Sequence, residues 1–435
     1  MKTPLIDAIK KHAKDRKFRF CMPGHKGVKR GMRLFSSAFF DITELDYSDN
    51  LLFSDSVILE SEMLTATAVK AERTLYLTSG STTGNLISAL AVKERGSDVL
   101  VERASHNSVY NAIGLAGLNP HFIENRIVDG IPHPLTLEDV KSAYFEGATA
   151  LFLTSPNYFG RVAQMKEICE FAHEKNMLVV CDSAHGAHFA YSSLLPEASH
   201  VFADITVASA HKTLPVYTGG AYLHVKGALF EDVERIRRVV HTTSPSYLVM
   251  SSMDYAQGVL SQCGERAYKR LHTAVNNLKA ISNIKVEDVD DFTRICLISR
   301  DGNELCERLK GHGIESEFSF GSRCVLIASP FDIKSVKKLT KVLSKMEPSE
   351  PVAGEVAYPK QEVVVPYLDA FNGQGEYVPV HEAEGRISAG LIGLYPPAVP
   401  LCAYGEKITE EIIALADKFP SSVYGLANGM AFVLK

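Results

Sequence analysis

Several features that would send the function elsewhere are missing from this chain. No run approaches the about 18 uninterrupted apolar residues of a membrane span, and Met1 to Lys11 reads as an amphipathic helix, too short and too charged for a secretory signal. There is no basic excess: the net charge is -5, which argues against a nucleic-acid surface. CxxC pairs are absent from the eight scattered cysteines, and several lie inside apolar runs such as Arg294-Ile295-Cys296-Leu297-Ile298. That pattern excludes a disulfide framework and a cysteine zinc site, and predicts reduced thiols in the cytoplasm. No internal repeat or low-complexity tract is present.

What remains is a globular composition, 46% hydrophobic and 22% charged over 435 residues, too long for one core. From about residue 73 to 225 short apolar runs alternate with helical periodicity. The predicted strands are 74–77, 98–101, 121–123, 150–153, 178–181, 205–207 and 221–225, with helix-length segments at 83–95 and 162–175 between them. Alternation of this kind predicts an α/β domain with a mostly parallel sheet, whose ligands sit at the carboxyl ends of strands. Beyond about residue 265 the pattern changes to a smaller α+β domain. Its strands are expected at 292–299 and 323–328, its helices at 304–310 and 333–346, with a Pro/Gly linker at 347–354 and a last strand at 362–366. The division expected is an N-terminal arm over 1–50, a large domain over 51–265 and a small domain over 266–435.

Two strand ends carry the chemistry. Asp182 closes the run Leu178-Val179-Val180-Cys181, and Lys212 follows Ile205-Thr206-Val207 within Ser209-Ala210-His211-Lys212-Thr213. A lysine amine that can form a Schiff base, near a carboxylate that can keep a pyridine nitrogen protonated, is the pair a pyridoxal phosphate (PLP) enzyme needs. The segment Thr78-Ser79-Gly80-Ser81-Thr82-Thr83-Gly84-Asn85 follows a strand and opens a helix, where free amides and hydroxyls suit a phosphate. It lacks the Gly-Lys-Ser/Thr ending of a Walker loop, and taken alone it reads more readily as a Ser/Thr helix cap beside a tight Gly turn. Asp182, His185 and His188 hold metal-ligand residue types, but on a loop whose spacing does not force convergence, so no metal is expected. His106 also follows a strand end, where an imidazole can stack on a bound ring or serve as an ordinary loop histidine.

Together these residues resemble the bacterial-type PLP-dependent ornithine/lysine/arginine decarboxylases, built on the aspartate-aminotransferase fold. The segments that carry the likeness are Met22-Pro23-Gly24-His25-Lys26-Gly27, Asp41-Ile42-Thr43-Glu44, Gly80 to Asn85, and Thr154-Ser155-Pro156-Asn157-Tyr158-Phe159-Gly160. Further along come Asp182 to His188, Ser209 to Leu214, Thr243-Ser244-Pro245-Ser246-Tyr247, Gly385-Arg386-Ile387-Ser388-Ala389 and Tyr395-Pro396-Pro397. The length is similar to that of the shorter members. The resemblance implies Lys212 as the Schiff-base lysine, Asp182 as partner of the pyridinium nitrogen and His106 as the stacking ring. Ser81, Thr82, Ser209 and His211 would hold the phosphate, with Thr243 reaching across from a partner subunit. His185 would stand near the phenolic oxygen or the substrate carboxylate. A homodimer or larger homo-oligomer with its active site at the subunit interface, acting in polyamine metabolism on an amino acid and on neither membrane nor nucleic acid, is implied as well.

The chain departs from the family's pattern where the substrate's distal cation would be held. Ala389-Gly390 stands where many members read Ala-Glu, and Ala398 and Tyr404 replace a usual Gly and Pro. Glu317, Glu382 and Glu384 remain as candidates for that cation. The expected activity is decarboxylation of lysine, ornithine or arginine. Another PLP reaction, such as a lyase or aminotransferase reaction, and a non-catalytic binding protein on the same fold stay open.

Overall fold

The computed structural model describes residues 1–14, 22–23, 25–26, 41–348, 358–395, 399–420 and 422–435, and they divide into two compact units. One comprises Met1–Ala91 with Val180–His272, the other Val92–Val179 with Thr273–Lys435. Gly24, Gly27, Pro396, Pro397, Ala398 and most of the expected 347–354 linker lie outside the described residues.

In the first unit the strands Arg73–Leu77, Ala221–Val225 and Ile205–Ala208 and the last three residues, 180–182, of strand Leu178–Asp182 follow one another across the sheet. Ile205–Ala208 is buried along its whole length, as a strand covered on both faces should be, which explains its unbroken apolar run. Its pairing with Val180–Asp182 is parallel, Val180 opposite Ile205 and Asp182 opposite Val207. Ala221–Val225, however, runs antiparallel to both of its neighbours. The chain reaches it through only a four-residue helical turn, Ala210–Thr213, without the long crossover helix that parallel return requires. Helix Ser81–Lys93 starts directly after strand Arg73–Leu77, and Gly80, at φ +80, makes the turn between them. A helix of 35 residues, Tyr247–Ile281, goes beyond the elements expected from the sequence.

In the second unit Asp98–Glu102 pairs in parallel with Asn119–Ile123 on one side and Ala150–Thr154 on the other. A separate antiparallel sheet takes Lys285–Val286, Arg294–Ile298, Arg323–Ile327 and Phe318–Phe320 in that order, with helices Gly302–Gly311 and Ile333–Leu343. The strand expected at 362–366 is not one. Only Val363 makes a bridge, to Glu406; Val363 and Val364 stay exposed, and Pro366 caps the helix Tyr367–Asn372. A proline without a donor and valines with nothing to pack on do not sustain a ladder.

Burial pushes the thiols of Cys296 and Cys402 up to about 12, so both are neutral core residues. Cys263, Cys296, Cys306, Cys324 and Cys402 carry free thiols. Among the described residues no helix is long and apolar enough to cross a membrane.

Candidate active site

Asp182 is the last residue of its strand, nearly fully buried, and both carboxylate oxygens are engaged. Asn85 donates to Oδ2 at 3.1 Å and the Ala184 amide donates to Oδ1 at 3.0 Å. Asn85 is reached because it sits one turn into helix Ser81–Lys93, four residues after Ser81. The sequence reading has it only as the end of the glycine-rich turn; its spacing from Ser81 is the signal that singles it out.

The helical turn Ala210–Thr213 brings Lys212 to buried His185, with Nζ and Nε2 3.2 Å apart. An ammonium can only donate, so His185 accepts at Nε2 and keeps its ring proton on Nδ1. His188, which follows in the same loop, packs on the rings of Phe189 and Tyr268. Among the described residues no group of three or more His, Cys, Asp and Glu side chains is arranged to hold a metal ion.

Near this lysine two turns of the chain are tied together. The Gly80 amide donates to the Gly219 carbonyl at 2.8 Å, which ties the turn before helix Ser81–Lys93 to the loop after Lys212. Ser81 and Thr82 occupy the first positions of that helix, where backbone amides have no partner within the helix. A Cβ on Gly84 would lie 2.6 Å from Cγ1 of Val207, so the helix end comes close to the sheet only because this residue has no side chain. Ser209 is completely buried and its hydroxyl has no hydrogen-bond partner among the described residues. His211 lends its Nδ1 to the Gly220 carbonyl at 3.1 Å, which puts the ring proton on that nitrogen. Helix amides, two hydroxyls at the helix start and an orphaned buried hydroxyl fit the phosphate of PLP. Thr243, by contrast, is exposed.

Other expected residues belong to the second unit. His106 caps helix Asn107–Ala116, with Nδ1 accepting from the Ser108 amide at 3.2 Å. The ring of Tyr395 meets it edge-on at 6.2 Å. Tyr395 and Tyr158 share a 2.9 Å hydroxyl contact, and Tyr158 donates to the Glu317 carboxylate at 3.4 Å. The two tyrosine rings stand at 75° to each other, forming an open aromatic corner beside an exposed acid. Tyr158 is a residue that sequence reasoning quoted only as part of a motif. Glu382 and Glu384 are exposed and make no such cluster. Gly390 would have room for a side chain, with the nearest atom of Phe432 at 3.7 Å, while Tyr404 fills an aromatic group with Tyr367 and Phe371. Just upstream of His106, Arg103 and Glu406 form a doubly hydrogen-bonded ion pair, both side chains almost wholly buried. It fixes the end of strand Asp98–Glu102 to the chain near its C-terminus.

Solved structures define the class of fold. A lysine decarboxylase of Francisella novicida superposes with a TM-score of 0.80 over 99% of this chain and 80% of that one, at 17% identity. The ureidoglycine-glyoxylate aminotransferase of Bacillus subtilis gives 0.53 over 66% of this chain and 84% of that one, at 16% identity. The fold is therefore the aspartate-aminotransferase-like α/β fold with a smaller C-terminal α+β part. Sequence narrows this further. Models for the Orn/Lys/Arg decarboxylase major domain and C-terminal domain match residues 3–300 and 352–419, and the chain belongs to that family. A relative called arginine decarboxylase in Bacillus subtilis strain 168 is 30% identical over 95% of this chain and 92% of its own length.

Proposed function

We propose that this chain binds PLP and decarboxylates a basic amino acid, with arginine the first candidate, releasing carbon dioxide and the corresponding amine. The observation that carries the reading is the buried Asp182 carboxylate, held by Asn85, in the same unit as a lysine turned toward His185. Bound PLP supplies an electron sink for the pair left when the carboxylate leaves Cα. The residues of the chain do the rest. Asp182 keeps the pyridine nitrogen protonated, and Asn85 and the Ala184 amide keep Asp182 from rotating away. Lys212 is the covalent anchor and then returns a proton to Cα, with His185 positioned to exchange protons with its amine. Ser81, Thr82, Ser209 and His211 hold the phosphate, joined by Thr243 from a partner subunit.

Arginine is favoured because four relatives matched over more than 90% of this chain are called arginine decarboxylases. The corner of Tyr158, Tyr395 and Glu317 has the chemistry to hold a guanidinium. A guanidinium can lie against a tyrosine face while a carboxylate neutralises it. With Gly390 in place of the family's usual acid, Glu317 takes over that charge, and Glu382 and Glu384 are left as surface residues. A cytoplasmic homodimer serving polyamine synthesis completes the reading.

The test is carbon dioxide release from arginine, lysine and ornithine by the purified chain with added PLP. Release from arginine, and less from the other two, is expected. A chain that binds PLP but releases nothing from any of the three contradicts the decarboxylase reading and leaves another PLP reaction or a binding protein.

A further inference from the structure

One buried histidine touches the phosphate turn from behind and has no part in the chemistry above. His241 follows helix Phe230–Val240 and is almost fully buried. Its Nε2 accepts the Thr78 amide at 3.1 Å, and its Nδ1 faces the Thr242 carbonyl at 3.0 Å. A carbonyl accepts and an amide donates, so the two contacts together demand a neutral ring with its proton on Nδ1. Thr78 is the residue that leads from strand Arg73–Leu77 into the turn Ser79-Gly80-Ser81-Thr82. Its other side is confined too, since a Cβ on Gly219 would lie 3.0 Å from the Thr78 carbonyl oxygen. His241 is thus the tether at the root of the turn, and its neighbour Thr242 leads directly to Thr243.

We infer that His241 is a positioning residue for the phosphate turn, and that its protonation releases the Thr78 amide and loosens the turn's hold on the PLP phosphate. The inference rests on the PLP reading above. A protonated ring carries a hydrogen on Nε2, and two N–H groups then point at each other. The surroundings resist that charge: burial first, then the Arg237 guanidinium, hold His241 below the ordinary histidine range, with the Thr242 carbonyl opposing them. Arg237 itself is paired with Glu62 at 2.9 Å and Glu234 at 3.6 Å, which hold it in place. The sign follows from linkage. A histidine held low when the turn is closed binds its proton more readily when the turn is open. Closure is therefore fully supported above about 6.5, the ordinary histidine value, and is progressively lost as pH falls below it.

The experiment measures the PLP dissociation constant by equilibrium dialysis and visible absorbance, between about pH 8 and about pH 5.5, a window that brackets histidine titration. Wild type is compared with His241→Gln, whose amide can make both hydrogen bonds without titrating, and with His241→Leu, which makes neither. The phosphate's own titration is common to all three proteins and cancels in the comparison. Wild type is expected to lose roughly tenfold more affinity toward acid than His241→Gln, the factor one buried hydrogen bond is worth. His241→Leu is expected to bind weakly across the whole range while His241→Gln binds like wild type at about pH 8, before histidine protonates. Equal pH slopes for wild type and His241→Gln, or undiminished binding by His241→Leu, overturn the inference and leave the PLP reading standing. A wild-type chain that takes up no PLP at any pH overturns both.

Discussion

At Asp182, the residue proposed to face the pyridine nitrogen, both carboxylate oxygens are occupied. Asn85 and the Ala184 amide fill two acceptor positions and fix the plane of the carboxylate. A group held this way keeps its alignment without reorganising during the reaction, which is where electrostatic catalysis gains most. Asp182→Asn keeps the shape but cannot hold a proton on the pyridine nitrogen. Steady-state kinetics with arginine should show kcat lowered by about 100-fold or more, with the circular dichroism spectrum unchanged. Lys212 and Asp182 can be singled out in the sequence because Asp182 closes one apolar run and Lys212 follows another. Asn85 and His241 are harder to see, since their roles depend on which strands lie side by side.

At the scale of elements, helix Ser81–Lys93 and strand Ile205–Ala208 do the positioning together. Their approach depends on Gly84, whose missing Cβ leaves room for Val207 and Leu77. Gly84→Val should cost about 2 kcal/mol by overpacking against a stiff, fully buried strand. A lowered urea midpoint with unchanged slope is the expected reading, together with weaker PLP binding because the helix start moves. The strands were legible here because they are covered on both faces and read as short apolar runs. Two features were not. Ala221–Val225 is as apolar as a parallel strand, and only the lack of a crossover helix before it tells its direction. The valines at 363–365 read as a strand, but propensity alone does not provide a ladder: only Val363 forms a bridge, and the amides of Val364 and Val365 both turn to the one carbonyl of Gly405.

For the whole molecule, the order of short motifs along the chain reveals the family although no single motif does. Composition and spacing reach the cofactor more firmly than the substrate, because a phosphate turn and a lysine are local, whereas Glu317, Tyr158 and Tyr395 are drawn from distant stretches of one unit. The departure at Gly390 is visible in the sequence; the aromatic corner that can compensate for it is not, since neither tyrosine is near Glu317 along the chain. The family's chemistry stands or falls on where the cofactor attaches. Borohydride reduction of the PLP-loaded chain, followed by peptide mass mapping, reads that attachment directly. The expected result is a single modified peptide carrying PLP on Lys212, absent from Lys212→Ala. PLP on a different lysine, or no stable attachment to the wild-type chain, would contradict it.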